Sequence, residues 1–246
     1  MVGIENYAKV RLTADVVIMT TDDKEVINQR KNPEKGVQVL LIRREAEPFK
    51  GMWTLPGGFI DADKSISECI DAKLHQKTGI GNIYKEQLYT YGDDINRDPR
   101  DRVITIAYLA LVSKDKVNQS KHLEDNTAWF WVEPERLNDG TVSHVTFKNV
   151  KTGETIYNLG FDHSNIICDS LNRVANKLMY TDIGFNLVSD EFTIKDLQTA
   201  YETIVGRGIP GFRRIIENKI EETGKMTTDI KVKPDSFRPA KLFKKK

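Results

Sequence analysis

The spacing of apolar positions divides the chain into two regimes. In the first half, short apolar runs alternate with polar turns, which is the mark of strands. Asp15-Val16-Val17-Ile18-Met19 and Val37-Gln38-Val39-Leu40-Leu41-Ile42 read as strands, the second a buried one. Residues 21 to 36 between them are polar and carry Asn32-Pro33 and Gly36, which is loop chemistry. Val103 to Val112 reads as a long buried strand and Ala128 to Val132 as a shorter one. One helical stretch interrupts this region: Ile66, Cys69, Ile70 and Leu74 recur at helical spacing, and Gly79 stops it. Strands with interspersed helices predict a mixed α/β sandwich.

Past residue 160 the period becomes helical. Ile166, Ile167, Leu171, Val174 and Leu178 form one stripe between Asn165 and Met179. Phe192 to Leu197 opens a second helix with Thr193 as N-cap. Gly206, Gly208 and Gly211 make a turn, and Pro210 near the first position starts a third helix that runs through Ile220. Short β-tolerant basic segments follow around Ile230, Val232 and Leu242-Phe243. Two helices joined by a glycine turn and followed by a basic hairpin-like stretch is the order of a winged helix-turn-helix. The boundary falls near residue 160, giving a first domain over 1–160 and a second over 161–246.

Composition changes this picture little until charge is divided along the chain. The net charge is only +1, yet residues 207–246 hold 12 Lys or Arg against 5 Asp or Glu. That end is therefore +7 and the remainder −6, the asymmetry of a nucleic-acid-facing end on an acidic body. A solvated basic tail would give the same sum, since Lys244, Lys245 and Lys246 supply part of it. No apolar run approaches the ~20 residues that span a bilayer, and the first residues lack the pattern of a secretory leader. Cys69 and Cys168 lie inside apolar helical patterns and suggest buried thiols of a reducing cytoplasm, not a disulfide framework or metal cluster.

The segment Leu55-Pro56-Gly57-Gly58-Phe59-Ile60-Asp61, with the helix ending at Gly79-Ile80, resembles the Nudix hydrolase signature. Anchored on Gly58, the family pattern reaches its closing glycine at Gly79 without a gap and sets its aliphatics on Leu74 and Ile80. The charged positions depart from it. The first family glutamate falls on Lys64, the Arg-Glu pair on Ala72-Lys73, and the Glu-Glu pair on Gln76-Lys77. Hard cations such as Mg²⁺ want anionic oxygen ligands, and positions 73, 76 and 77 share one helix face. Two ammonium groups and an amide there predict a Nudix-type α/β/α sandwich that has lost metal-assisted hydrolysis. Glu68 and Asp71 remain nearby but do not fall on the ligand positions.

A cleft can outlive its chemistry. Arg97, Arg100 and Arg102 flank a Pro turn before the long strand and suit a phosphate, because guanidinium pairs bidentately with oxyanions. The accompanying aspartates also fit a solvated charged loop. Arg43, Arg44, Phe49 and Trp53 could add phosphate and base-stacking contacts, with core packing the commoner role for Trp53. Tyr89 to Asp93, Arg97 to Arg100 and Arg102 to Tyr108 resemble ADP-ribose-type Nudix proteins and their regulator relatives. The resemblance implies a nucleotide-sugar effector such as ADP-ribose, although some relatives are thought to sense a pentose.

The second half resembles the Nudix-related transcriptional regulators, the NrtR type. The resemblance rests on Phe161-Asp162-His163, Glu191-Phe192-Thr193, Leu197-Gln198, Tyr201-Glu202, Phe212-Arg213-Arg214 and Arg238 to Phe243. It implies that the third helix enters the major groove, with Arg213, Arg214 and Lys219 contacting bases or phosphates. Lys195 and Arg207 would touch backbone, and Lys231, Lys233, Arg238 and Lys241 would lie on or near the wing. His163 reads as a junction histidine satisfied by neighbouring backbone. Residues 138–160, with Lys151-Thr152-Gly153-Glu154 as a hairpin turn, are longer than the usual connection. The expectation is a cytoplasmic homodimeric regulator without cofactor, whose partners are an operator in double-stranded DNA and a nucleotide-sugar or sugar effector. The rivals are a Mg²⁺-dependent Nudix hydrolase with displaced metal ligands and an accessory C-terminal domain, and a protein-interaction module.

Overall fold

The computed structural model describes residues 9–24, 34–79, 81, 83–119, 124–224, 226–229 and 241–245. Its centre is a strand buried on both faces, β1 (Arg11–Asp23). The period of two splits β1 between two cores. Val17 and Met19 join the larger cluster, while Ala14, Val16 and Ile18 join the smaller. β1 runs antiparallel to β2 (Lys35–Arg43) and parallel to β6 (Val103–Leu111). The sheet continues outward through β5 (Tyr84–Tyr91) on one side and β7 (Thr127–Arg136), β8 (Val142–Asn149) and β9 (Thr155–Ile156) on the other. Short strands β3 (Trp53–Thr54) and β4 (Gly57–Phe59) attach to β2 and β1. This is the mixed sheet expected from the sequence, with helices on both sides.

Helix α1 (Ile66–Thr78) covers the smaller core with Ile70 and Leu74. Its ends carry local signals. Ser65 and Glu68 form a reciprocal capping box, and Gly79 closes the helix at φ 65°, a left-handed conformation that costs glycine least. The longer connection of residues 138–160 is not a loose insertion. It is β8, the turn after it and β9, and β8 packs on α3 (His163–Leu178), where Asn172 binds both the N–H and the carbonyl of Val142.

The helical half is built on the opposite face of the sheet. A 3-10 turn (Ile183–Leu187) leads to β10 (Glu191–Thr193), α4 (Ile194–Val205), α5 (Phe212–Thr223), β11 (Met226–Asp229) and β12 (Leu242–Lys245). β10, β12 and β11 form a small sheet beside the helix pair, completing a winged helix. Thr193 caps α4 as expected, through a capping box with Asp196. The third helix begins two residues after Pro210, with Gly211 in the left-handed region as its N-cap. Ile230 and Val232 lie outside the described residues. The stripe of α3 enters one apolar cluster that runs from Val17 of the sheet to Phe243 of the wing sheet. Among the described residues no helix is long and apolar enough to cross a membrane.

Candidate functional site

A cleft of about 290 Å³ opens where β1, β2 and β4 meet the 93–102 loop and the start of α3. Arg43 and Arg44 from one stretch, and Arg97 and Arg100 from another more than fifty residues on, all line it. The Arg100 guanidinium grips Asp98 in a fork, at 2.9 and 2.7 Å, and the pair holds the Asp98 carboxyl below the usual carboxylate range against the opposing effect of burial. Arg44 donates to the carbonyl of Pro48 at 2.7 Å; burial and then the Arg100 charge push its pKa down. Two cations near one another under partial burial make a site that an anion would relieve.

The aromatic wall of the cleft is Phe161, which the sequence reading had placed at a junction. Two guanidiniums lie over its ring, Arg44 at 4.9 Å and Arg100 at 5.4 Å from the centroid. Arg100 also covers exposed Phe59 at 5.1 Å. Phe49 does not line the cleft but braces Phe161 edge-on at 4.8 Å. Both phenylalanines adopt positive φ, 63° and 60°, which non-glycine residues rarely do and which concentrates at functional sites.

The three residues that open α3 all reach into this region. Asp162, at the N-cap position, makes no side-chain cap because its carboxylate takes Arg97 in a fork at 2.9 and 2.6 Å. His163 Nδ1 accepts from the Leu55 N–H at 2.9 Å, and Nε2 faces Asp15 at 3.9 Å. Burial pushes the His163 pKa down, so the neutral imidazole is the stable form. The backbone-satisfied junction histidine is therefore what the structure contains. Asp15 accepts from Thr105 at 2.5 Å, and its carboxylate fills the space a side chain at position 57 would need, which explains glycine there.

Several expected ligand contacts take other roles. Trp53 packs edge-on against Phe130 at 4.8 Å and, with Arg43, borders an adjoining hollow of about 500 Å³. Arg102 donates to the carbonyls of Gly92 and Asp94, closing the base of its loop rather than facing the cleft. Sequence reasoning missed Phe161, Asp98 and Asp15 as cleft residues. An acid within an apolar strand was the available signal for Asp15.

The helix face that would hold metal in a Nudix hydrolase does not fit one. Lys77 is buried and ion-paired with Glu124, to which Gln76 also donates. Glu68 is committed to capping Ser65, and Asp71 pairs with Lys85. Among the described residues no three His, Cys, Asp or Glu side chains converge.

On the winged helix, Lys195, Arg207, Arg213 and Arg214 are exposed. Arg213 makes a solvent-facing pair with Glu217. Lys241 is exposed near the wing and lies over the Phe243 ring at 5.3 Å. Lys219 corrects the expectation. It faces inward from α5, and its Nζ donates to the carbonyls of Leu178 at 2.9 Å and Thr181 at 2.6 Å. The winged-helix resemblance implied a groove contact, but position 219 lies on the buried side of α5 and satisfies the carbonyls of Leu178, the last residue of α3, and Thr181 just beyond it. Lys231, Lys233 and Arg238 lie outside the described residues.

Comparison with known proteins finds two domain matches. Residues 11–150 match the NUDIX domain and residues 184–244 the NrtR DNA-binding winged helix domain. The chain is 28% identical over 241 residues, 97% of its length and 83% of the other's, to the ADPR responsive transcriptional repressor NtrR of Acinetobacter baylyi. It is 37% identical over 76 residues, 31% of this chain and 44% of the other, to an ADP-ribose pyrophosphatase of Methanocaldococcus jannaschii. The crystal structure of Shewanella oneidensis NrtR complexed with a 27mer DNA superposes with a TM-score of 0.71 at 28% identity, covering 96% of this chain and 93% of that one.

Proposed function

Since the chain belongs to the Nudix family and ends in a stretch matching the NrtR winged helix, we propose that it is a DNA-binding transcription regulator sensing ADP-ribose or a closely related nucleotide sugar. The observation that carries this reading is α3. Its first residue, His163, lines the cleft beside Phe161, and the carbonyl of its last, Leu178, accepts from Lys219 of α5, the helix proposed to enter DNA. A helix of 16 residues is about 24 Å of rigid connection between the two sites.

The cleft's part is to bind and orient an anion. Phosphate oxygens between Arg44 and Arg100 would compete with the contacts both guanidiniums make to Phe161 and with the Asp98 fork. Phe161 is continuous with Asp162 and His163, so any shift there is a shift of the α3 N-terminus. A ligand that prefers one setting of α3 changes the population of winged-helix orientations by its differential affinity, and hence the affinity for an operator. Two copies reading a palindrome in the cytoplasm complete the reading, with the division between effector and DNA-binding halves near residue 160. The carboxylates near α1 are spent on capping and ion pairs, which supports a Nudix domain that binds without hydrolysing.

The test is fluorescence anisotropy of the protein on its own upstream DNA, with and without ADP-ribose, beside a Mg²⁺-supported hydrolysis assay. Specific binding altered by ADP-ribose without turnover is expected. Turnover without specific DNA binding would replace the regulator by a hydrolase.

A further inference from the structure

One face of α1 carries two ammonium groups, Lys73 and Lys77, and the structure uses them differently. Lys77 is buried and neutralised by Glu124. Lys73, one turn earlier, has no carboxylate within ion-pairing distance among the described residues. Its side chain lies against Gly58, where an added Cβ would sit 3.5 Å from Cε and 3.6 Å from Nζ. Gly58 is also a lining residue of the cleft, so the ammonium lies against one residue of its floor. The neighbouring acids are engaged: Asp61 pairs with Lys64, and Glu124 with Lys77.

A diphosphate laid along this floor needs positive charge near Gly58 to offset its own. The donor set around α1 cannot recruit that charge as a divalent ion, because hard cations need several anionic oxygens and these are absent or spent. An ammonium on a helix held by its capping box supplies the charge covalently.

We propose that Lys73 is a fixed cation that stands in for a divalent metal, so that the cleft binds a phosphate-bearing effector without any metal ion. The inference rests on the reading of the cleft as an anionic effector site and adds the residue and the ionic condition for binding. Lysine suits the task as a compact point charge. Arginine would offer a planar fork, and glutamate would restore a carboxylate where a metal could sit.

The experiment is calorimetric titration of the full chain with ADP-ribose, in EDTA and again in Mg²⁺, for the wild type, K73Q and K148Q, the last an exposed lysine on β8 outside the cleft. The expected result is equal wild-type affinity in the two buffers, a loss of roughly tenfold for K73Q in both, as befits one charge-assisted contact, and no change for K148Q. Circular dichroism would verify that K73Q retains the fold. Wild-type binding that requires Mg²⁺, or K73Q binding as tightly as wild type, would overturn the inference while leaving the effector reading intact. No ADP-ribose binding in either buffer by protein that still binds DNA would overturn both.

Discussion

Replacing Asp162 by asparagine removes the charge that holds Arg97 while keeping the side chain's shape. The pair is bidentate, with Arg97 only 4% exposed and Asp162 22%. Breaking a buried ion pair by altering one partner costs about 3–5 kcal/mol, because the other charge stays buried and uncompensated. Water reaching Asp162 offsets part of this, leaving about 2–3 kcal/mol. For a chain of this size the melting temperature falls by about 2–4 °C per kcal/mol, hence by roughly 4–12 °C in total. Thermal unfolding followed by circular dichroism measures that fall. Anisotropy on operator DNA at low temperature, where the variant stays folded, measures the response to ADP-ribose. D162N should keep its DNA affinity and lose most of the ligand effect, since the 93–102 loop is no longer fastened to α3. The double change of Arg97→Met with Asp162→Asn should be less destabilising than the two single changes added, because no charge is stranded. A D162N protein within ~1 °C of wild type that still responds fully to ligand would refute the claim that this pair joins cleft and helix.

Other consequences separate structural from DNA-facing charges. K219M should lower stability by about 1–3 kcal/mol by leaving the Leu178 and Thr181 carbonyls without their donor, yet leave the salt dependence of DNA binding unchanged; a shallower slope would return Lys219 to the interface. R213A and R214A, on the exposed face of α5, should each weaken operator binding and reduce the slope of log K against log salt by about 1, as measured by anisotropy across a salt series. His163 has a folded pKa below the unfolded value of about 6.5. The unfolded state therefore binds more protons in acid, so stability falls as pH drops below about 6.5, by up to about 1.4 kcal/mol per pH unit, and levels off above it. H163Q should flatten that limb in denaturant titrations across pH; an unchanged slope would mean other groups govern it. Tyr201 is buried, and its hydroxyl has no hydrogen-bond partner among the described residues, so Y201F should be neutral or stabilising by up to about 1 kcal/mol; a clear loss of stability would reveal a partner for that hydroxyl.

What sequence alone determined were features set within a few residues. The caps at Gly79 and Thr193 were legible because capping is an exchange of hydrogen bonds across about three or four positions, whereas the Ser65 capping box went unread. The continuous apolar run of β1 marked a strand and the stripe of α3 marked a buried helix face, since each pattern belongs to one kind of element. The lysines and glutamine at positions 73, 76 and 77 of α1 could be read from identity and spacing, and so could the basic bias of the C-terminal region. Only tertiary structure decided what each charge does. Arg97 meets Asp162 across 65 residues, and Lys219 meets Leu178 across 41. No periodicity carries such distances, because the pairing depends on how α3 seats against the sheet and α5. Arg97, Arg100 and Arg102 look equivalent in the sequence. One is fastened to a helix start, one faces the cleft over two phenylalanine rings, and one closes its own loop. A charged side chain's role follows from the dielectric and partners around it, and those exist only once the chain has folded.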